Sequence, residues 1–125
     1  FFEVPLDGPS PVDSPDEGSI CALASFSGTE DGSLAVGMPE ETLKTFTESF
    51  LGADGQEISS AQSLAVICEL ANMLCGATLS RYAPHARIAI APPQIISSSQ
   101  VSGSRWLRFP LECGSLAVSL TWKGL

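Results

Sequence analysis

The sequence predicts an α+β fold in which two helices pack on one face of an antiparallel sheet. Alternating apolar patterns, joined in pairs by turn signals, stand towards both ends: Ser19–Ser27 with Leu34–Met38, and Arg105–Leu111 with Leu116–Trp122. Between them lie two stretches with helical character, Leu43/Phe46/Phe50 and Ser63–Leu79. The order strand, strand, helix, helix, strand, strand, strand puts hairpins outside and helices inside. No internal repeat is present.

Residues Phe1–Gly18 carry Pro5, Pro9, Pro11 and Pro15 with Asp7, Asp13, Asp16 and Glu17. They read as an acidic, proline-rich arm (residues 1–18) ahead of a single domain at 19–125. Phe1, Phe2, Val4 and Leu6 give that arm apolar groups to pack on the domain or on a neighbour, the alternative being a loose terminus. Ser19–Ser27 alternates, and Gly28-Thr29-Glu30-Asp31-Gly32 supplies a hairpin turn into the strand Leu34–Met38.

Pro39 suits the start of a helix, and Glu40 and Glu41 complement its positive end. Gly52 stops it. After a polar loop, Ser59 and Gln62 form an S-x-x-Q capping box that opens a second helix, which runs to about Tyr82 before Pro84. Arg87–Ala91 is a short strand ended by Pro92-Pro93, and Gln94–Ser104 is a serine-rich loop or strand edge. Arg105–Leu111 is expected to turn Leu107, Phe109 and Leu111 inward. Glu112-Cys113-Gly114 then turns the chain into Leu116, Val118, Leu120 and Trp122, the cleanest alternation in the sequence.

At 125 residues, 44% hydrophobic and 16% charged, the chain is long and apolar enough for a real core. A net charge of -8 argues against nucleic acid and against an anionic membrane surface. The longest apolar run, Leu64–Leu79, is interrupted by Glu69 and Asn72, so no membrane span is expected. The acidic start has no basic region of the signal-peptide kind. Cys21, Cys68, Cys75 and Cys113 form no CxxC pair. They read as free structural thiols, not a disulfide framework or zinc site, and so point to the cytoplasm.

The chemistry concentrates in Ser63–Leu79. Glu69 and Asn72 lie three apart, on one helical face, in an otherwise apolar helix. Ala65 precedes Glu69 and Gly76 follows Asn72 by one turn each, so small residues flank two polar tips. A lone glutamate or asparagine on a helix is ordinarily just solvated. This pair, in this setting, reads equally as a carboxylate and a carboxamide presented to a partner. An asparagine amide can hold and aim a water but is a poor proton acceptor, which suits phosphoryl transfer, where positioning carries most of the work. His85 is the single histidine and no nucleophile is placed with it in a recognisable motif, so it reads as structural or solvated. Trp106 and Trp122 read as packing or interface residues. No phosphate-binding glycine loop and no G-x-S-x-G are present.

Glu69-Leu70-Ala71-Asn72, followed by Gly76 and by Pro93 with twenty residues between Asn72 and that proline, resembles the E-x-x-N signature of the CheC/CheX/FliY chemotaxis phosphatases, and most the CheX-like domain. The resemblance covers about Gly32–Lys123 and implies the CheC-like/CheX-like fold. It further implies an enzyme that removes the aspartyl phosphate of a CheY-like response regulator in two-component signalling. In that case Asn72 orients the attacking water, Glu69 binds the regulator's lysine, and Ala65, Gly76 and Pro93 touch the partner. It implies no metal or cofactor on this chain, Mg²⁺ being supplied by the response regulator, and a homodimer in the cytoplasm. Ala65 stands where the family often has Asp or Ser, and the spacing to Pro93 is slightly short. The competing reading is a non-catalytic CheX-like adaptor that binds a regulator. A small-ligand domain is a third.

Overall fold

Side-chain alternation and two capped helices organise the chain, whose structure is a computed structural model describing residues 9–52, 57–101 and 105–123. The elements are β1 (Ser10–Val12), β2 (Ser19–Gly28), β3 (Asp31–Pro39), α1 (Glu40–Leu51), α2 (Ser60–Tyr82), β4 (Ile88–Ile90), β5 (Gln94–Ile96), a 3-10 turn (Ser98–Gln100), β6 (Trp106–Leu111) and β7 (Gly114–Lys123). The seven strands form one sheet in the order β1-β6-β7-β3-β2-β4, with β5 also paired to β2, and every pairing is antiparallel. The predicted α+β class is therefore correct.

Pairings such as Ala22 with Val36 and Val36 with Val118 put alternate residues on a common face. On that face Ala22, Ala24, Phe26, Leu34, Val36 and Met38 meet Leu43 and Phe46 of α1 and Val66, Ile67, Leu70, Ala71, Cys75 and Leu79 of α2. Ile67 and Leu70 are fully buried. Each such side chain contributes about 2–3 kcal/mol relative to exposure. The opposite face holds a smaller cluster of Cys21, Ala35, Trp106 and Ala117.

The helix ends follow the sequence signals. The Ser59 hydroxyl accepts from the Gln62 amide at 3.1 Å, and the Gln62 carboxamide accepts from the Ser59 amide at 2.8 Å. Such a cap contributes about 1 kcal/mol. Gly52 closes α1 in the left-handed conformation (φ 65°), donating to the carbonyls of Glu48 and Ser49. With 23 residues, α2 is long and apolar enough to cross a membrane by length and composition alone. Here its apolar stripe packs on the sheet.

Two details depart from the sequence reading. The arm contains a strand, since β1 pairs with β6 through Ser10–Arg108, Pro11–Leu107 and Val12–Trp106. Leu107, expected inward, is 44% exposed, whereas its neighbour Trp106 is buried. The helices lie mainly over β2 and β3; further along β6, Phe109 and Leu111 do pack against the core as expected, half-buried, while Leu107 stays outside it. Both margins of the sheet carry proline. Pro11 lies in β1, and Pro92 and Pro93 separate β4 from β5 along β2. Proline lacks the amide donor that a further strand would need.

The segment before β2 is tied down as well. Pro15 is buried, and the Ser19 amide donates to the Asp16 carbonyl at 3.1 Å. The Asp16 carboxylate accepts from the Ser115 hydroxyl at 2.7 Å and from Arg108 Nε at 3.3 Å. The Ser115 hydrogen bond first, and Arg108 second, hold its carboxyl below the usual carboxylate range against a small opposing effect of burial. Phe1, Phe2, Val4 and Leu6, like much of the loop between the helices (53–56), lie outside the described residues.

Candidate functional site

A helix fixed by its buried stripe presents its opposite side as a rigid display. Val66, Ile67, Leu70, Ala71 and Cys75 anchor α2. On the outward side Ala65, Glu69, Asn72 and Gly76 follow one another at successive turns. Ala65 and Glu69 are exposed, and Asn72 and Gly76 are half-buried. Among the described residues neither the Glu69 carboxylate nor the Asn72 carboxamide has a hydrogen-bond or ion-pair partner. Neither polar atom of the Asn72 side chain is buried, so both reach solvent. A carboxylate (acceptor) and a carboxamide (donor and acceptor) thus stand one helical turn apart, held by the backbone and uncommitted to their own chain. Such a pair can grip a cation and orient a water on an incoming surface.

The structure gathers Ala65, Glu69, Asn72 and Gly76 on this face. Pro93 arrives from elsewhere, half-buried just ahead of β5. The last residue of β4, Ile90, is what a methyl group at Gly76 would first meet, at 3.9 Å. The strand edge that leads on to Pro93 therefore runs beside the Gly76 turn of α2. Met73, not singled out from the sequence, is 39% exposed on the same side. Its signal is the four-residue step from Glu69, masked by its apolar character.

The remaining candidates do not form a second centre. His85 is exposed, and among the described residues no group of three or more His, Cys, Asp or Glu side chains could hold a metal ion. None of the four cysteines is in a disulfide, and Cys21 and Cys75 are buried. Burial pushes the thiols of Cys21, Cys68 and Cys75 up from their ordinary value, which keeps them protonated and poorly nucleophilic. Trp106 is a core residue, and Trp122 packs edge-on against Phe26 with ring centroids 5.5 Å apart.

Several solved structures share this fold. The CheX–CheY–BeF3–Mg2+ complex from Borrelia burgdorferi matches with TM-score 0.73 at 16% identity, over 90% of this chain and 80% of that one. Chemotaxis protein CheX from Vibrio vulnificus matches with TM-score 0.71 at 15% identity, over 92% and 83%. A chemotaxis protein CheX from Desulfovibrio desulfuricans matches with TM-score 0.66 at 21% identity, over 93% and 85%. No functionally curated protein matches the sequence. The family described as Chemotaxis phosphatase CheX matches residues 20–109, most of the chain and all of the α2 face, and the protein belongs to that family.

Proposed function

We propose that the protein is a phosphatase for the aspartyl phosphate of a CheY-like response regulator. The observation that carries this reading is the Glu69/Asn72 pair: exposed or solvent-reaching, without partners among the described residues, and fixed one turn apart on a buried-stripe helix. Asn72 enters the regulator's phosphorylation site and holds a water by its carboxamide, in line with the phosphorus–oxygen bond to the aspartate. Water oxygen bonds to phosphorus as that bond breaks, returning the free carboxylate and inorganic phosphate. Asn72 accepts no proton. Its contribution is orientation. Glu69 pairs with the regulator's active-site lysine and sets the docking register. The Mg²⁺ that neutralises the phosphoryl oxygens belongs to the regulator. Ala65, Gly76 and Pro93 form the rim against which the partner rests.

This substrate places the protein in the cytoplasm. The homodimer expected from the family has a surface available on the sheet. Leu107 and Leu120 are 44% and 43% exposed, and both lie on the helix-bearing face beyond α1, around the directly opposed pair Leu107–Val118.

One observation favours the adaptor reading. Ala65 is exposed where the family often has a hydrogen-bonding residue, so this turn of the helix adds no polar contact to the docked partner. Phosphorylated CheY-type receiver domain, mixed with the purified protein and followed by phosphate loss, separates the two. Acceleration that disappears in Asn72→Ala supports the phosphatase. Binding without acceleration supports the adaptor.

A further inference from the structure

Gly76 has no reason within its own chain to be glycine. Each other described glycine either takes a positive φ (Gly18, Gly28, Gly52, Gly114) or faces atoms that would crowd a methyl group (Gly32 by Thr121 and Phe26, Gly37 by Cys21 Sγ at 3.0 Å). A methyl group at Gly76 would meet only Ile90 Cδ1, at an ordinary 3.9 Å. The residue lies in the interior of α2, where glycine is the poorest choice after proline. The fold would thus be better served by alanine.

What the missing side chain leaves is space. A hollow of about 250 Å³ opens between α2 and β4, lined by Gly76, Leu79, Ser80, Ala83, Ile88 and Ile90 among others. It begins one helical turn from Asn72. Ser80, one turn past Gly76 and exposed, continues the display face of Glu69, Asn72 and Gly76. The hollow is therefore continuous with the face that the proposed phosphatase reaction uses.

We propose that Gly76 is a specificity-determining residue: it lets the receiver domain's backbone approach α2 closely, and the adjoining hollow, where Ser80 stands beside Leu79, Ile88 and Ile90, takes one small side chain of that domain. This rests on the phosphatase reading and adds to it a determinant of which receivers are accepted. Asn72 acts on the phosphoryl group, whereas Gly76 acts on docking, so the two residues should move different kinetic parameters.

The test uses the full chain with Gly76→Ala and Gly76→Leu. Thermal unfolding is measured together with titration against a CheY-type receiver domain loaded with beryllofluoride and Mg²⁺, and KM and kcat for the phosphorylated receiver. Gly76→Ala is expected to raise Tm by about 3–6 °C. Its binding should weaken about tenfold, with KM raised and kcat nearly unchanged. Gly76→Leu should abolish measurable binding with its circular dichroism retained. A purely structural glycine would instead lower Tm. Full-affinity binding of the receiver by Gly76→Leu overturns the inference while leaving the phosphatase reading intact. Wild-type protein that neither binds nor accelerates any receiver tested overturns both.

Discussion

The Ser115 hydroxyl donates to the Asp16 carboxylate at 2.7 Å, joining residues ninety-nine positions apart and fastening the segment ahead of β2 to the first residues of β7. The carboxyl is held below its ordinary range, first by Ser115 and then by Arg108. A lowered folded-state value means that the clamp contributes fully above the unfolded pKa and is lost as pH falls through the folded one. Wild type should therefore melt above Asp16→Asn at neutral pH, and the gap should close on acidification below about pH 4. Melting curves across pH check this. A gap that persists undiminished to about pH 2 would show that the carboxylate charge is not what the clamp uses.

Glu69 and Asn72 divide the proposed reaction between grip and aim. Asn72→Ala should cut the maximal rate of receiver dephosphorylation about 100-fold while binding stays near wild type. Glu69→Ala should weaken binding instead, and binding by that variant should respond less to salt than wild type, because a charge pair has been removed. Single-turnover kinetics at two salt concentrations distinguish the effects. Equal losses of rate and affinity in both variants would argue against separate roles.

Gly114 opens β7 at φ 142°, and a methyl group there would run into the side chain of Thr42 at the start of α1. Gly114→Ala should cost about 2 kcal/mol or more in urea unfolding. Adding Thr42→Ala should recover the steric part alone, since the backbone strain remains. Complete recovery would assign the whole penalty to the clash.

The exposed pair Leu107 and Leu120 makes self-association testable. Leu120→Glu should shift sedimentation towards the monomer with little change in Tm, because 43% of this residue is already in solvent. An unchanged sedimentation profile would remove this strip from the candidate interfaces.

Legibility in the sequence followed the range of the interactions. The Ser59/Gln62 capping box and the Gly52 stop were readable because each is settled within a few residues. The alternation of Leu116–Trp122 gave β7 correctly, and the Glu69/Asn72 spacing gave their shared face. Alternation says which residues lie together but not how far a helix pair extends over the sheet, so Leu107 was expected inward while Trp106 carries the burial. β1 was hidden because a three-residue, proline-containing strand has no local signal, and its pairing with β6 is long-range. The hollow beside Gly76 needed the placement of β4 against α2, which no spacing encodes.

Proline at both margins of the sheet has a consequence for crowded solutions. An incoming peptide laid along β1, or along the interrupted rim of β4 and β5, finds missing amide hydrogens where it needs a ladder. Growth by stacking molecule upon molecule is starved at its first step, so concentrated protein should stay free of fibrils even where its greasy patches find one another.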